Sequence, residues 1–158
     1  MNIPYHITLH DARLDDAARL LAWEQQPEAQ RVTRAESEVT IEFIYRHILS
    51  SFDLIADSQK RFIVERDKAA VGVVDLYDYA DGEASVGVFI DEAFRRCGYA
   101  TQAMKLVIDY VRGLGLKALN VEIHSDNEAS LGLFQKVGFA HISDNQKESG
   151  ITLRMELA

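Results

Sequence analysis

The chain has 158 residues, which fits one domain spanning residues 1–158. With 47% hydrophobic and 27% charged residues it has the composition of a globular domain, and no apolar run approaches the roughly 18 residues of a membrane-spanning helix. The single cysteine, Cys97, excludes an internal disulfide, and the first residues lack the pattern of a secretion signal. We therefore expect a cytoplasmic protein.

The net charge of −8 is unevenly distributed along the chain. Residues 1–92 contain 18 acidic and 9 basic side chains, whereas residues 93–158 contain 7 acidic and 8 basic ones. A negative chain argues against general nucleic-acid binding, which depends on cations that contact phosphate. The acidic half either serves a cationic substrate or provides solubility, and composition leaves both interpretations open.

The first half of the chain predicts a strand, two helices and three further strands. Residues 5–9 alternate as in a strand, and a helix with Asp11 as its cap then runs to near Pro27. A second helix is expected from Thr40 to Leu49. The three later strands are predicted over residues 61–65, 70–77 and 84–90, with a hairpin turn at Asp81-Gly82. Three consecutive strands indicate an antiparallel meander.

The second half alternates between helix and strand. Apolar residues recur at helical spacing over 101–114 and 128–137, and residues 119–123 alternate as in a strand. Two closing strands are predicted over 139–142 and 150–157. These elements predict an α+β fold with a mixed sheet and about four helices.

The segment from residue 90 to residue 101 joins a predicted strand to a predicted helix. A helix N-terminus exposes unpaired N–H groups and the positive end of the helix dipole, which together favour phosphate. Gly98 permits close approach of a ligand, Ala100 leaves room for it, and Arg95 and Arg96 add positive charge. The alternative is an ordinary loop before a helix.

Residues 127–139 form a second informative segment. Asn127 suits a helix N-cap, and the spacing of Leu131, Phe134 and Val137 is typical of an apolar helix face that packs into a core. Taken alone, this segment predicts only a capped amphipathic helix.

Together, the two segments resemble the GCN5-related N-acetyltransferase (GNAT) superfamily. The resemblance rests on Arg-x-x-Gly-x-Ala at Arg95–Ala100, followed by Asn-x-x-Ser-x-x-x-Phe-x-x-x-Gly-Phe at Asn127–Phe139. It extends to residues 72–76 and 86–90, which correspond to the third and fourth strands of the family. Within the superfamily the chain is similar to the bacterial polyamine and ribosomal-protein acetyltransferase branch.

The resemblance implies a mixed, mostly antiparallel sheet of about seven strands flanked by about four helices. It also implies that acetyl-CoA, the acetyl donor, lies between two diverging strands over residues 86–90 and 119–123. The cofactor-binding residues that it implies are Val88, Phe89, Ile90, Arg95, Arg96, Cys97, Gly98, Tyr99, Ala100, Thr101, Asn127, Phe134 and Lys136.

The reaction implied by the resemblance is direct acetyl transfer to a primary amine, such as a polyamine or a protein amine. Asp75 matches an acidic position of the branch and is the expected base, with Glu83 and Asp78 as the next candidates. Phe134 stands where many members carry a tyrosine acid, so Tyr99 or solvent is expected to protonate the departing thiolate.

Two other classes of function fit the same sequence. The chain is alternatively a non-catalytic acyl-CoA-binding or sensor domain, or a structural subunit without a ligand. We expect an acceptor amine as partner, a cationic one where the acidic half of the chain serves the substrate, and pairing of an exposed sheet edge into a homodimer. His10, His47, His124 and His141 show no metal-ligand spacing, so they are interpreted as surface or strand-end residues and no metal is assigned.

Overall fold

The computed structural model describes residues 6–26, 39–145 and 150–157. Seven strands form one sheet, in the order β1-β2-β3-β4-β5-β7-β6. The strands are β1 (Ile7–Asp11), β2 (Lys60–Arg66), β3 (Ala69–Ala80), β4 (Glu83–Ile90), β5 (Ala118–His124), β6 (Ala140–Asn145) and β7 (Gly150–Glu156). The helices are α1 (Ala17–Glu24), α2 (Ile41–Leu49), α3 (Leu54–Asp57), α4 (Tyr99–Gly113) and α5 (Glu128–Lys136). The predicted α+β class and mixed sheet are confirmed.

Strands β2, β3 and β4 form the predicted antiparallel meander, and β1 extends it by pairing antiparallel with β2. Tight turns at Asp67-Lys68 and Asp81-Gly82 join β2 to β3 and β3 to β4, and both residues of each turn have positive φ. This is the backbone of a type I′ turn, whose twist suits a hairpin. Strand β5 then runs parallel to β4, because α4 returns the chain across the sheet before β5 begins.

The two faces of the sheet carry separate apolar cores. Helix α4 buries its apolar stripe, including Met104 and Val107, against one face, and Phe134 of α5 joins the same core. On the other face, α1 and α2 pack against Ile63, Val73 and Phe89. The strands that the two helical layers share, β2 to β4, are therefore buried on both sides.

Several expectations need correction at element boundaries. Asp11 is the last residue of β1 and not a helix cap; the first helical turn is a 3₁₀ turn at Leu14–Asp16, and α1 follows it. Helix α3 was not expected; the Asp53 carboxylate caps it by accepting hydrogen bonds from the Ile55 and Ala56 N–H groups. The expected strand start at Tyr5 and helix end near Pro27 lie outside the described residues.

No helix within the described ranges is long and apolar enough to cross a membrane.

Candidate active site

Strands β4 and β5 are paired over only three residues each. Glu83–Ser85 of β4 lie beside Ala118–Asn120 of β5, and the pairing stops there. Beyond this point β4 stays paired with β3 as far as Ile90, and β5 stays paired with β7 as far as His124. The two strands therefore diverge into a gap that is closed at the Ser85 end, as expected for residues 86–90 and 119–123.

The loop from Arg95 to Gly98 has a backbone shape that suits an anion. Arg96 and Gly98 both have positive φ, at 64° and 79°, while Arg95 between β4 and Arg96 is extended. Such changes of backbone hand turn successive N–H groups toward one point. Gly98 is the N-cap of α4, so the N–H groups of the first turn, from Tyr99 to Thr101, have no acceptor within the helix.

A cavity of about 780 Å³ lies between this loop, the end of β4 and the first turns of α5. It contains all but two of the residues expected to bind the cofactor, namely Val88, Phe89, Ile90, Arg95, Arg96, Gly98, Tyr99, Ala100, Thr101, Asn127 and Lys136. Its other lining residues include Asp126, Glu128, Ala129, Ser130, Gly132 and Leu133. The loop thus opens into a cavity at the wide end of the gap, large enough for a cofactor arm.

Two of the expected cofactor residues, Cys97 and Phe134, do not line this cavity. Phe134 is 2% exposed and packs edge-on against Phe139, with ring centroids 5.1 Å apart, so it belongs to the core beneath α5. Cys97 is exposed, and its thiol lies 3.5 Å from the Arg95 carbonyl oxygen. The apolar spacing of α5 had already indicated the core position of Phe134.

The side chains of Arg95 and Arg66 fix the loop Arg95–Gly98 and the start of α4 to the sheet. The Arg95 Nε–H donates to the Ile90 carbonyl oxygen over 3.0 Å, and the guanidinium lies 5.6 Å from the centre of the Phe89 ring. Arg66, at the end of β2, donates to the Tyr99 hydroxyl over 3.3 Å, and its guanidinium lies 5.0 Å from the centre of the Phe94 ring. Sequence reasoning missed Arg66 and Phe94, because their contact joins segments that are far apart in the chain.

Asp75 lies on the opposite sheet face from α4, outside the cavity. Its carboxylate accepts two hydrogen bonds from Arg61, over 2.6 Å from Nε and 3.0 Å from Nη2. Arg61 is 7% exposed; burial disfavours its charge, but Asp75 outweighs this effect and raises the pKa of Arg61 above its usual value. The expected base is therefore half of a buried ion pair, with 28% of its side chain still exposed.

His47 lies near this ion pair, which corrects its interpretation as a surface or strand-end residue. It is half-buried on α2, with its Nδ1 atom buried and without a hydrogen-bond partner among the described residues. Burial and then the positive charge of Arg61 lower the pKa of His47. The imidazole is therefore neutral at neutral pH.

The closed end of the gap is held by a second set of polar side chains. Glu83 accepts hydrogen bonds from Arg154 and Asn120, which join β4, β5 and β7, and these bonds lower the pKa of Glu83.

Asp78, the third candidate base, is exposed and has a positive φ of 52°. Among the described residues, no group of three or more His, Cys, Asp or Glu side chains is arranged to hold a metal ion.

Comparison with known proteins identifies the family. Residues 6–140 match the family described as "Acetyltransferase (GNAT) domain". The chain belongs to the GNAT acetyltransferase family. This match includes the diverging strands, the loop at Arg95–Gly98 and both cavity helices, so the resemblance carried by those motifs is confirmed.

Individual relatives agree with the family assignment. The chain is 31% identical to spermidine N(1)-acetyltransferase of Escherichia coli over 86 residues, which are 52% of this chain and 46% of the relative. It is 27% identical to the Homo sapiens alpha/beta-tubulin-N-acetyltransferase 9 over 158 residues, covering 89% of this chain and 75% of that protein. The match thus spans about half the length of the bacterial relative.

Solved structures share the fold of this GNAT chain. A Vibrio cholerae spermidine N-acetyltransferase in complex with CoA and spermine superposes with a TM-score of 0.83 at 16% identity, covering 96% of this chain and 95% of the other. The yncA protein of Salmonella typhimurium with its cofactor acetyl-CoA gives a TM-score of 0.76 at 15% identity, with 96% and 94% coverage. The predicted GNAT fold is confirmed.

Proposed function

We propose that this chain is a single-domain N-acetyltransferase that moves the acetyl group of acetyl-CoA directly to a primary amine. The observation that carries the proposal is the gap between β4 and β5, which opens at its wide end onto the loop Arg95–Gly98. The gap can take an extended arm, and the loop can take a diphosphate, so one cofactor would fill both. The family membership and the relatives crystallised with CoA or acetyl-CoA support this assignment.

In the proposed complex, backbone groups do most of the binding. The edge of β4 from Val88 to Ile90 would pair with the amides of the pantetheine arm, as a neighbouring strand would. The first-turn N–H groups of α4 would bind the diphosphate, with Arg96 close to it. Asn127 caps α5 by accepting from the Ser130 N–H over 3.2 Å, and together with Lys136 it would line the side opposite the loop.

The proposed reaction is an attack of the neutral amine on the thioester carbonyl carbon. A carbon–nitrogen bond forms, the carbon–sulfur bond breaks, and CoA leaves as a thiolate that takes up a proton. A backbone N–H of β4 near Phe89 would stabilise the oxyanion that develops on the carbonyl oxygen. The Tyr99 hydroxyl accepts from Arg66, which leaves its O–H free to donate, and Tyr99 lines the cavity, so we propose Tyr99 or water as the source of the proton for the thiolate.

Asp75 stays the proposed acceptor of the amine proton, and its ion pair defines how it would work. Each carboxylate oxygen has a second lone pair, so Asp75 can accept a hydrogen bond from the amine while Arg61 fixes its orientation. The proton would pass to water from this position. Glu83, bound to Arg154 and Asn120 at the closed end of the gap, is the less suitable carboxylate.

One observation favours a second candidate, a non-catalytic acyl-CoA-binding domain. Both oxygens of Asp75 already accept hydrogen bonds, and Phe134 provides neither a hydroxyl nor an exposed ring to the cavity. Acetyl transfer requires a proton acceptor, whereas binding does not.

We also propose an amine acceptor as partner, pairing of two chains into a homodimer, and a cytoplasmic location.

Thiol release from acetyl-CoA separates the two candidates. The purified chain is incubated with acetyl-CoA and, separately, with polyamines, amino-acid amides and peptides that have a free N-terminus. An amine-dependent release of free thiol with formation of the acetylated amine supports the transferase. Stabilisation by CoA without thiol release for any amine supports the binding domain, because a ligand of the native state raises its stability whether or not it reacts.

A matched pair of variants ties the activity to the cavity. Ala100 lines the cavity, and Ala100→Trp fills the space beside the loop. Ala18 is an exposed residue of α1, and Ala18→Trp adds the same side chain at a remote surface. The proposal expects activity to be lost in the first variant and kept in the second.

A further inference from the structure

An opening lies over Gly87 of β4, on the sheet face that carries Asp75. Gly87 is the cross-strand partner of Asp75, and it comes two residues after Ser85, where the pairing of β4 with β5 ends. Apart from Gly87 and its two chain neighbours, no described residue has an atom within 4 Å of the place where a Cβ of Gly87 would lie. Within residues 6–26, 39–145 and 150–157, the space over Gly87 is therefore open where the gap begins.

The opening and the cofactor cavity lie on opposite faces of β4, beside the same gap. Successive residues of a strand point to opposite faces, so Val88 and Gly87 face opposite ways. Val88 packs against the α4 side and lines the cavity, whereas Phe89 packs against Trp23 on the α1 side, the face that Gly87 shares. An acyl group that enters the gap from the cavity would thus reach the other face beside Gly87.

The borders of the opening suit an amine that carries an apolar chain. On one side lies the Asp75 carboxylate, partly exposed and held by Arg61, which can accept a hydrogen bond from nitrogen. Two residues further along β4, on the same face, lies Phe89, whose ring centroid is 6.0 Å from that of Trp23, and these rings can contact carbon. Neither border fills the position over Gly87.

We propose that Gly87 is a specificity-determining residue, because its missing side chain admits the nitrogen and first carbon atoms of the acceptor amine. The inference rests on the proposed function and adds to it one residue that limits which amines can enter. A side chain at residue 87 would block the acceptor and leave the cofactor cavity on the other face unchanged.

Gly87→Val is a suitable test because the fold should accept it. Gly87 lies within a strand at a φ outside the left-handed region, and valine favours strands, so no loss of stability is expected. Gly113→Val is the matched control. A Cβ at Gly113 also meets nothing within 4 Å among the described residues, but Gly113 ends α4 away from the site.

Two probes separate the cofactor from the acceptor without requiring turnover. The first is CoA, and the second is CoA whose sulfur is joined through a methylene-carbonyl linker to the nitrogen of n-butylamine, which occupies both substrate positions. Titration calorimetry gives the Kd of each probe for the wild type and the two variants.

We expect Gly87→Val to keep the wild-type affinity for CoA and to lose about tenfold or more in affinity for the conjugate, since added methyl groups crowd its amine end. Gly113→Val should bind both probes as the wild type does. Equal affinity of Gly87→Val and wild type for the conjugate would overturn the inference, and so would parallel weakening of both probes. If the wild type binds neither probe, the proposed function itself fails.

Discussion

The cavity side of the site offers mainly backbone groups, whereas the opposite sheet face offers side chains that are paired with one another. On the cavity side, strand β4 and the N-terminus of α4 provide N–H and C=O groups that many sequences can supply. On the other face, a hydrogen bond from Arg61 orients the Asp75 carboxylate. The charges of these two residues both affect the pKa of His47. Substitutions that fill space should therefore weaken the cofactor side most, whereas loss of a single charge should weaken the acceptor side most.

The largest effect of a lost charge is expected at the buried ion pair. Asp75→Ala leaves the guanidinium of Arg61 buried without the carboxylate that orients it, and we expect a loss of about 3 kcal/mol in the free energy of unfolding. Urea denaturation measures this loss. The double variant Arg61→Met/Asp75→Leu should recover most of it, because apolar residues can replace a buried pair.

The exposed pair at the closed end of the gap serves as a comparison for this result. Glu83 is 37% exposed and bonded to Arg154, so Glu83→Ala should change stability little. Similar losses in Asp75→Ala and Glu83→Ala would contradict the contrast between a buried and an exposed pair.

Asp75→Asn tests the proposed proton acceptor. An alkyl amine with a pKa near 10 is mostly protonated at pH 7, so loss of the carboxylate should reduce turnover there by about a hundredfold. The reduction should be smaller at pH 9, where more amine is already neutral. Thiol release is measured at a temperature at which circular dichroism shows the variant folded. Unchanged turnover at both pH values would remove Asp75 from the mechanism.

Arg66→Met tests whether the contacts of Arg66 on β2 with Tyr99 and Phe94 are needed for CoA binding. The variant keeps an apolar stem but loses the hydrogen bond to Tyr99 and the contact with the Phe94 ring, so CoA should bind about fivefold more weakly. Lys68→Met removes the same charge from an exposed turn nearby. Equal weakening in both variants, measured by calorimetry, would assign the effect to net charge rather than to position.

The smallest expected effect is the contribution of His47 to the pH dependence of folding stability. Its pKa is lowered in the folded state, so below the unfolded value of 6.5 the unfolded chain binds more protons than the folded one. Stability should be constant above that value and fall as the pH decreases below it. His47→Gln should flatten this part of the profile of Tm against pH, while exposed His6→Gln should leave it unchanged. A wild-type Tm independent of pH over this range would contradict the buried neutral imidazole.

Local signals explain why the cofactor side was predictable. Asp81-Gly82 specifies its hairpin through the backbone that it permits, and Gly98 marks the start of α4. The order of the two motifs then indicated the family. The helical spacing of α5 predicted the core position of Phe134, which the structure shows.

The acceptor side was less predictable because its contacts are long-range. Arg61 and Asp75 meet only through the register of two antiparallel strands, and nothing in either segment shows that the two side chains face each other. His47 becomes buried only when α2 packs on that face. Helix α3 was missed since four residues are too few to show a periodic pattern.

Titration calorimetry with CoA measures directly whether the cavity between the Arg95–Gly98 loop and α5 binds coenzyme A. We predict saturable binding to the wild type and to Ala18→Trp, and loss of at least about tenfold in affinity in Ala100→Trp, whose side chain occupies the cavity. No heat of binding in the wild type, or equal affinity in all three proteins, would contradict the account.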